Sequence, residues 1–206
     1  RALAERLAPD GLIIGLDQDH DAIEAASERL KGVPCQFKAV QRNFQYIADV
    51  LNALEIPQID GCMFDLGVSS YQLDTAERGF SYMHDGPLDM RMDQSRKKSA
   101  YDVVNGYSEG DLYRIIKDYG EERWAKRIAQ FIVQDRKEKP IERTEDLVRV
   151  IKEAIPAGAR KEGPHPAKRT FQAIRIEVND ELGILRNAIE RAANRLKPGG
   201  RICVIT

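Results

Sequence analysis

The sequence predicts an α/β fold in which a parallel, doubly wound sheet is interrupted by an all-helical insert. Two observations predict this fold. Short apolar runs alternate with amphipathic segments before residue 66 and again after residue 179, and only helical patterns occur between about residues 100 and 170. Strand–helix alternation is typical of parallel strands joined by crossover helices. At 206 residues, the chain is long enough to bury a sizeable core.

The N-terminal part contains three predicted strands and two predicted helices. Apolar runs of strand length occupy residues 12–16, 36–40 and 61–65. Apolar residues recur at helical spacing in 21–30 and 46–54. Each connection between successive strands is therefore expected to hold one amphipathic helix.

The middle of the chain is predicted to be a block of helices. Ser108 and Asp111 resemble a capping box at the start of one helix, and residues 121–134 continue with another. Thr144 is predicted to cap a third helix that ends near Pro156. A helical block between two parts of one α/β pattern indicates an inserted subdomain.

The alternating pattern resumes near the C-terminal end. Asn179 is predicted to cap a helix, and Pro198-Gly199-Gly200 is predicted to form a tight turn before a strand over 201–205. The expected domains are a first part of the α/β core at residues 1–101, the helical insert at 102–170, and a second part of the core at 171–206.

Composition limits the classes of partner. The formal net charge is −1 and the isoelectric point is about 6.4, so the whole molecule has no general attraction to polyanions. Any nucleic-acid contact must come from a local basic patch. No apolar run is long enough to span a bilayer and no signal-peptide pattern is visible, so we expect a cytoplasmic protein.

Cysteine and histidine spacing gives no sign of a metal site. Cys35, Cys62 and Cys203 are far apart, and each lies in an apolar, strand-like run. We therefore expect buried, reduced thiols. His20 and His84 have no neighbours at ligand spacing, and no metal ion is expected.

The most informative segment is DLGVSSYQLD, residues 65–74. Its carboxylate, Asp65, stands where the third predicted strand ends, and a glycine, two hydroxyls and an amide follow. Open α/β sheets bind ligands at the carboxyl ends of their strands, where the loops diverge. Residues 65–74 are therefore the first candidate for the site of chemistry.

A second acid, Asp17, ends the first predicted strand. An acid at this point of a nucleotide-binding sheet accepts hydrogen bonds from both hydroxyls of a ribose. The alternative is a surface or helix-capping acid, a role that Asp19 fills equally well. NAD enzymes and methyltransferases share a strand-end acid, so Asp17 does not choose between them. Phe44, which follows the second strand, is either an apolar wall for adenine or a core contact.

Residues 160–175 form a basic run that is interrupted by one acid, Glu162. If the run binds RNA, its cations neutralise phosphates and its aromatic side chains stack on exposed bases. The alternative is that the run is an ordinary solvated face of the protein. The loop at 81–93 is likewise either an ordered active-site loop or an ordinary surface loop. The candidate RNA contacts from the run and the loop are Arg91, His165, Lys168, Arg169 and Arg175.

Several unusual strings together resemble the bacterial 16S rRNA cytosine-N4 methyltransferases, the MraW family. They occur in the order and spacing of that family. The turn at 198–200 also resembles the entry to the fifth strand of class I methyltransferases. The strings are DLGVSSYQL at 65–73, AERGF at 76–80, DGPLDMRMD at 85–93, YGEERWAKRI at 119–128 and HPAKRTFQAIRI at 165–176.

The resemblance implies a Rossmann-like class I methyltransferase sheet with a helical insert that recognises the substrate. The implied reaction moves a methyl group from S-adenosylmethionine to the exocyclic N4 of a cytosine in 16S rRNA of the small ribosomal subunit. By matching position, the family's cofactor contacts fall on Asp17, Phe44, Asp65 and Gln72.

Two parts of the family pattern lie outside the sequence. A Gly-Gly-His cofactor loop is expected before Arg1, together with the strand that precedes it, and a Phe-His-Ser segment is expected after Thr206. The sheet formed by this span is therefore expected to lack a central strand. Two other functions remain open, a non-catalytic RNA-binding or ribosome-assembly protein and, less favoured, an NAD-dependent oxidoreductase.

For the chemistry, the expected catalytic residue is Asp65. The N4 amine of cytosine is a poor nucleophile because its lone pair is delocalised into the ring, and a hydrogen-bond acceptor favours the pyramidal nitrogen. The available acceptors are Asp65 and the backbone carbonyls of Leu66 and Gly67. The aromatic side chain that stacks on the target base is expected to be Tyr71, Phe80 or Tyr82.

Overall fold

The computed structural model describes residues 1–161 and 164–206, which fold into two compact units. The first unit comprises residues 1–66 and 182–206, and the second comprises residues 67–181. The strands are β1 (Leu12–Asp17), β2 (Gln36–Gln41), β3 (Ile59–Asp65) and β4 (Leu196–Ile205). The helices are α1 (His20–Arg29), α2 (Ile47–Ala53), α3 (Ser70–Asp74), α4 (Ala100–Gly106), α5 (Glu109–Asp118), α6 (Ala125–Asp135), α7 (Thr144–Ala154), α8 (Lys168–Asn179) and α9 (Glu181–Ala193).

The strands of the first unit pair in parallel, as expected, but they form two sheets instead of one. β1 pairs with β2, and β3 pairs with β4. Among the strands described, no pairing joins β1 or β2 to β3 or β4, so the single sheet predicted from the alternating pattern is absent.

A small core joins both sheets to the helices of the first unit. Half-buried Ile14 and Leu16 of β1 pack against the same cluster as Cys62 of β3. Period-two and period-3.6 patterns in the sequence place these apolar side chains on one side of each element. The buried members of the cluster are Ile47, Leu51, Phe64, Ala188 and Ala192.

The glycine turn before the last strand lies inside the pairing of β3 with β4. Ile59 lies opposite Leu196, and Gly61 lies opposite Arg201, so the chain makes an excursion between these two pairs. Gly199 has a φ of 82° in this excursion, a left-handed conformation that favours glycine. The predicted turn is therefore present, but strand pairing begins before it and resumes after it.

The second unit is helical around a large apolar core. α4, α5, α6, α7 and α8 surround buried side chains such as Val103, Ile115, Ile132 and Ile151, none of which is measurably exposed. The same core includes Leu88 and other residues of the 80–92 loop, together with the apolar face of α8. The division into units therefore falls at 66/67 and 181/182, whereas the sequence suggested boundaries at 101/102 and 170/171.

Two predicted helix caps are wrong, for the same physical reason. Asn179 is the last residue of α8 and does not cap α9, and Thr144 is the first residue of α7 and follows the N-cap residue Arg143. Both side chains form hydrogen bonds with the backbone of the 84–92 loop. The same polar side chain can cap a helix or form a hydrogen bond with a distant loop. Which of the two it does depends on the backbone groups that folding brings beside it. The cap at Ser108 is confirmed, since its Oγ accepts a hydrogen bond from the Asp111 N–H at 3.1 Å.

The cysteines are free, but they are not all buried. Cys35 is buried, Cys62 is half-buried, and Cys203 is exposed. Burial raises the pKa of the Cys62 thiol. The prediction of a buried thiol is therefore wrong for Cys203, because its position in β4 alternates with that of Ile202, which packs on the core. No helix in the described part of the chain is long and apolar enough to cross a membrane.

Candidate functional site

The strand ends of the first unit bring candidate cofactor residues to one edge. Asp17 and Gln41 lie opposite each other at the ends of β1 and β2. The Arg42 N–H donates to the Asp17 carbonyl at 2.8 Å, so the register continues one residue beyond the strands. Phe44 lies two residues after Arg42. A parallel pair places the carboxyl ends of both strands at the same edge of the sheet, so Asp17 and Phe44 both lie near that edge.

A hydrogen bond between side chains joins the loops that carry Asp17 and Phe44. The Asn43 Nδ2 donates to the Gln18 Oε1 at 2.8 Å. The Asn43 Oδ1 also accepts from the Gln45 N–H at 3.0 Å and caps the short helical turn Phe44–Tyr46. Each partner is next to a candidate residue, so this contact fixes the separation of the two loops.

An aromatic contact then connects Phe44 to the end of β3. The rings of Phe44 and Phe64 lie 5.8 Å apart with an interplanar angle of 84°, an edge-to-face arrangement that favours aromatic pairs. Phe64 is buried and directly precedes Asp65. The ends of β1, β2 and β3 are thus connected through Asn43, Phe44 and Phe64, and the sequence showed no sign of Asn43's role.

Asp17 and Asp19 have separate roles. Asp19 is buried and caps α1, where its Oδ1 accepts from the Asp21 N–H at 3.1 Å. The side chain of Asp17 accepts from the Asp19 N–H at 2.8 Å and is exposed at the strand end. This contact orients the Asp17 carboxylate at the end of β1. The helix-capping alternative therefore applies to Asp19.

Asp65 ends β3 with its side chain exposed. No side-chain hydrogen bond or ion pair joins it to the other residues described. The backbone around it is held, since the Leu66 N–H donates to the Ile205 carbonyl at 3.0 Å. Gly67 follows with a φ of 111°, which only glycine adopts without strain. The backbone at Asp65 is therefore fixed, while its carboxylate forms no side-chain contact that stabilises the fold within the described chain.

Gln72 belongs to the second unit and has a structural role. It lies in α3 and is 5% exposed. Its Oε1 accepts from the Ser69 N–H at 3.1 Å, and its own N–H donates to the Ser69 Oγ at 3.2 Å. This capping box begins α3. A cofactor contact from Gln72 stays a prediction.

The loop that follows α3 is tightly held within the second unit. Asn179, 1% exposed, accepts from the Met92 N–H at 2.9 Å and donates to the Met90 carbonyl at 2.8 Å. The Thr144 hydroxyl donates to the His84 carbonyl at 2.9 Å and accepts from the Gly86 N–H at 3.0 Å. The loop at 81–93 is therefore ordered, and its role in an active site stays a prediction.

Two of the candidate RNA contacts have guanidinium groups that are used inside the protein. Arg91 binds both carboxylate oxygens of Asp89, at 3.0 and 2.6 Å, and also donates to two backbone carbonyls. Arg175 binds both carboxylate oxygens of Glu181, at 2.8 and 2.9 Å. Bidentate pairs of this kind are the strongest that arginine forms with a carboxylate. Sequence spacing gave no means of separating these residues from exposed cations.

The other candidates lie at the start of α8. Lys168 and Arg169 are exposed. His165 stacks on Tyr82, with ring centroids 4.7 Å apart and an angle of 11°, and Phe171 meets the same Tyr82 edge-on at 5.9 Å. Glu162, the acid of the basic run, lies outside the described residues.

The His165 ring is held in its neutral form. Burial and the charge of Lys152 lower the pKa of His165. The His165 Nδ1 accepts from the Ala167 N–H at 3.2 Å, which requires an unprotonated nitrogen. At neutral pH this side chain therefore offers a ring face and not a positive charge.

The three aromatic candidates for base stacking differ in exposure. Phe80 is buried in the helical core, Tyr82 is half-buried, and Tyr71 is 57% exposed. Phe80 therefore has no free ring face for a base. Two cavities among the described residues, of about 380 and 500 Å³, include none of the candidate cofactor residues. Among the residues described, no group of histidine, cysteine and acidic side chains is arranged to hold a metal ion.

Comparison with known proteins decides the family. The model of the MraW methylase family matches residues 1–206. The chain belongs to the MraW methylase family. It is 57% identical to the ribosomal RNA small subunit methyltransferase H of Ruminiclostridium cellulolyticum over 98% of this chain and 65% of that protein. The proteins of that name from Clostridioides difficile and Geotalea uraniireducens are also 57% identical, over 100% of this chain and 66% of their own length.

The chain spans about 65% of the length of these curated relatives. Within this MraW methylase segment, the family strings include residues whose roles are structural. In AERGF, a Cβ on Gly79 would lie 2.1 Å from the Pro87 carbonyl oxygen, and in DGPLDMRMD a Cβ on Gly86 would lie 1.8 Å from the Ala76 carbonyl oxygen. Both glycines are therefore required where two backbone segments meet.

Proposed function

We propose that the whole protein transfers a methyl group from S-adenosylmethionine to the exocyclic N4 of a cytosine in 16S rRNA of the small ribosomal subunit. The observation that carries this proposal is the connected strand-end cluster of Asp17, Phe44 and Asp65 in a chain of the MraW methylase family. The names of the relatives, which refer to ribosomal RNA of the small subunit, support the choice of substrate.

The strand-end residues fit the cofactor chemically. A ribose needs an acceptor for its hydroxyls, and the exposed Asp17 carboxylate is held at the strand end by the Asp19 N–H. Adenine needs a flat apolar wall, and Phe44 is half-buried with its ring supported by Phe64. The assignment of Gln72 to the cofactor rests on the family resemblance alone. When bound, the cofactor supplies an electrophilic methyl group on a sulfonium.

We assign the chemical role to Asp65 or to the carbonyls beside it. The N4 amine must lose its conjugation with the ring as it attacks, and an acceptor that binds its N–H favours that change. Asp65 is exposed and has no competing side-chain partner within the described chain. The left-handed Gly67 turns the backbone directly after it, so the Leu66 carbonyl is a second acceptor at the same strand end.

We further propose that both small sheets belong to one Rossmann-like class I sheet in the whole protein. β1 pairs only with β2 and β3 only with β4 among the strands described, so each has an edge that a further parallel strand would satisfy. Parallel sheets are normally covered on both faces, but Met63 of β3 and Ile205 of β4 are 61% and 47% exposed. These exposed apolar side chains also favour a larger sheet in the whole protein.

In this proposal the helical unit recognises the rRNA, and its first contacts are Lys168 and Arg169. Both are exposed at the start of α8, and cations in this position bind phosphates. Stacked His165 and Tyr82 offer an aromatic surface nearby in the chain. Arg91 and Arg175 would position these elements through their carboxylate pairs, without contacting RNA.

The test is methyl transfer by the whole protein with radiolabelled S-adenosylmethionine and small ribosomal subunits. Asp65→Asn is expected to lower the rate at least a hundredfold, since the amide is a weaker acceptor, within the range typical of one general-base group. Asp17→Ala is expected to weaken cofactor binding by calorimetry, and Glu24→Ala on exposed α1 is the matched control.

The outcomes separate the candidate functions. Full turnover by Asp65→Asn would exclude a role for this carboxylate. Binding of RNA by wild type without any cofactor binding would instead favour the non-catalytic assembly protein. Binding of NAD in place of S-adenosylmethionine would favour the oxidoreductase.

A further inference from the structure

The start of α6 carries three exposed cations. Arg123 lies just before the N-cap residue Trp124, and Lys126 and Arg127 lie in the first turn; all three side chains are exposed. Residues 123–134 contain no aspartate or glutamate. Lys126 and Arg127 are adjacent in the first turn, and Arg123 lies in the turn that leads into the helix, so the three cations are clustered at the start of α6.

These cations differ from the other arginines of the same unit. Arg149 binds Asp135 at 2.8 Å, Arg143 pairs with Asp85, and Arg175 pairs with Glu181. In the part of the chain that the structure describes, Arg123, Lys126 and Arg127 have no ion pair with a carboxylate. Carboxylates therefore neutralise Arg143, Arg149 and Arg175, whereas the three cations at the start of α6 have no such partner among the residues described.

Nearby acids do not cancel this charge. Glu122 is 9% exposed, and its Oε1 accepts from the Trp124 N–H at 2.9 Å, so its carboxylate is turned inward. Glu121 is exposed and precedes the first arginine. One exposed acid therefore faces three exposed cations at this end of α6.

Both arginines are held in place by aromatic rings. The Arg123 Cζ lies 5.5 Å from the centroid of the Trp124 ring, and the Arg127 Cζ lies 5.1 Å from that of Phe131. A ring contacts the flat face of a guanidinium and leaves the N–H groups at its edge available. The ring contacts restrict both guanidinium groups before binding, which reduces the entropy lost on binding an anion.

The start of α8 adjoins this face. The Arg169 Nη1 donates to the Glu121 carbonyl at 3.0 Å. A Cβ on Gly120 would lie 2.6 Å from the Arg169 carbonyl oxygen, so the two backbones are in contact. Lys168 and Arg169 therefore extend the charged surface, which we call the α6 basic face and define as Arg123, Lys126, Arg127, Lys168 and Arg169.

The placement of these cations does not favour helix stability. Cations in the first turn of a helix oppose its dipole, and acids are preferred there. α5 and α7 follow that preference with Glu109 and Asp111 and with Glu145 and Asp146, whereas α6 and α8 have no acid in the first turn. A cost to the fold at two adjoining helices indicates that the charge serves binding.

We propose that the α6 basic face binds the phosphate backbone of RNA and so holds the rRNA on the helical unit. This inference rests on the proposed function for the identity of the RNA. The evidence that the face binds phosphates comes from its own charges and does not depend on that function. Guanidinium and ammonium groups bind phosphate oxygens at any sequence, whereas bases are not read by such contacts. The face therefore supplies affinity and orientation rather than sequence choice.

The test is fluorescence anisotropy with the whole protein and two fluorescein-labelled RNA hairpins of unrelated sequence, at a series of KCl concentrations. The triple variant Arg123→Ala, Lys126→Ala, Arg127→Ala is expected to lose about tenfold or more in affinity for both hairpins. The slope of log K against log salt is expected to fall by about 2, because each phosphate contact contributes slightly less than 1.

A matched control removes two exposed cations from an acid-balanced helix of the same unit. Arg114→Ala with Lys117→Ala on α5 is suitable, since Lys117 also lies over a ring, that of Tyr113, at 5.5 Å. Its salt slope is expected to change by less than about 0.5. An equal loss in this control would show that binding follows total charge, and would overturn the assignment to α6.

Two further variants guard against loss of folding. Arg127→Gln alone keeps the length of the side chain and is expected to lower the salt slope by about 1. Arg123→Lys with Arg127→Lys keeps the charge and is expected to preserve most of the slope. Circular dichroism and cofactor affinity are expected to match wild type in both.

The outcomes distinguish this inference from the proposed function. An unchanged salt slope in the triple variant with normal methylation would overturn the inference alone. A reduced slope in a protein that methylates no RNA would leave the binding face standing and overturn the methyl transfer. Unchanged binding to the hairpins with weaker binding to small subunits would assign the face to a protein partner and overturn the proposal.

Discussion

Asn179 shows how much one polar side chain holds together. It is buried, and it accepts from the Met92 N–H while donating to the carbonyls of Met90 and Arg175. The Met90 and Met92 groups lie in a loop that has no regular secondary structure to satisfy them, whereas Arg175 lies in α8. A buried amide with both its donor and its acceptor used is therefore a structural requirement of the loop.

We expect Asn179→Ala to lower the free energy of unfolding by about 3 kcal/mol, because it leaves a buried N–H and a buried carbonyl without partners. Urea unfolding followed by circular dichroism measures this change. Gln130→Ala on exposed α6 is the control, with an expected change below about 0.5 kcal/mol. A cost under 1 kcal/mol for Asn179→Ala would show that water replaces the lost contacts.

Gly86 is expected to be intolerant of any side chain. Gly86→Ala would place a Cβ 1.8 Å from the Ala76 carbonyl oxygen, so the backbone must move, and we expect a loss of about 3 kcal/mol or more. Gly106 is the matched control, since a Cβ there meets nothing within 4 Å and the residue ends α4. Thermal unfolding of both alanine variants makes the comparison, and equal melting temperatures would contradict it.

At the scale of elements, the start of α8 joins aromatic packing to a titratable group. Tyr82 from the 81–93 loop is packed between the His165 ring and Phe171. Because the pKa of His165 is lowered in the folded protein, the unfolded chain takes up a proton first as the pH falls. The folded state is therefore favoured above the ordinary histidine pKa of 6.5 and loses stability below it.

We expect His165→Phe to remove part of this pH dependence, since phenylalanine keeps the stacking on Tyr82 and does not titrate. Unfolding free energies at about pH 8 and about pH 5.5 measure the effect. The wild type is expected to lose more stability between these values than the variant does. Parallel pH profiles for the two proteins would contradict the role of this ring.

Helix starts illustrate what local sequence can and cannot show. Ser108 caps α5 as predicted, because its partner, the Asp111 N–H, is three residues away in the chain. Thr144 has the same chemistry, but its hydroxyl donates to the His84 carbonyl, sixty residues away. A capping motif identifies a polar group near a helix start, and packing decides which backbone group it satisfies.

On the scale of the whole molecule, the two units differ in how much apolar surface they bury. The core of the first unit has five buried side chains, whereas the core of the second unit includes most of the apolar residues of α4 to α8. Because burial of apolar surface supplies most of the folding free energy, the second unit is expected to be the more stable part of this chain.

Hydrogen–deuterium exchange measured by mass spectrometry tests this expectation. In the 206-residue chain, amides of β1 to β3 are expected to exchange at least tenfold faster than those of α5 to α7, because their local opening costs less free energy. In the whole protein, S-adenosylmethionine is expected to slow exchange at the ends of β1 to β3. Slowing confined to α5 to α7 would contradict the cofactor site.

Much of the fold and part of the site follow from sequence pattern. The positions of β1, β2, β3, α1 and α2 were predicted within two residues, because alternation of apolar side chains is local information. Asp17 and Asp65 were recognised because each directly follows an apolar run. Asn43 was not recognised, since its partner Gln18 is brought to it only by the register of β1 with β2.

The candidate RNA residues show the same division. The sequence identifies Arg91, Arg175, Lys168 and Arg169 as cations in family strings, with equal charge. Only the folded chain shows that the first two are neutralised by carboxylates, while Lys168 and Arg169 stay exposed beside α6. Charge is a property of the residue, but its availability depends on which groups folding brings within a few ångströms.

By itself, the sequence determined the α/β class, the helical insert, the family resemblance and the acids at the strand ends, because each is encoded by neighbouring residues. Tertiary structure alone decided that β1 and β3 lie in separate sheets, that Asn179 holds a loop instead of starting a helix, and that uncompensated positive charge gathers on α6. These outcomes depend on contacts between residues distant in the chain, and the free energy of such contacts is set by packing and solvent exclusion.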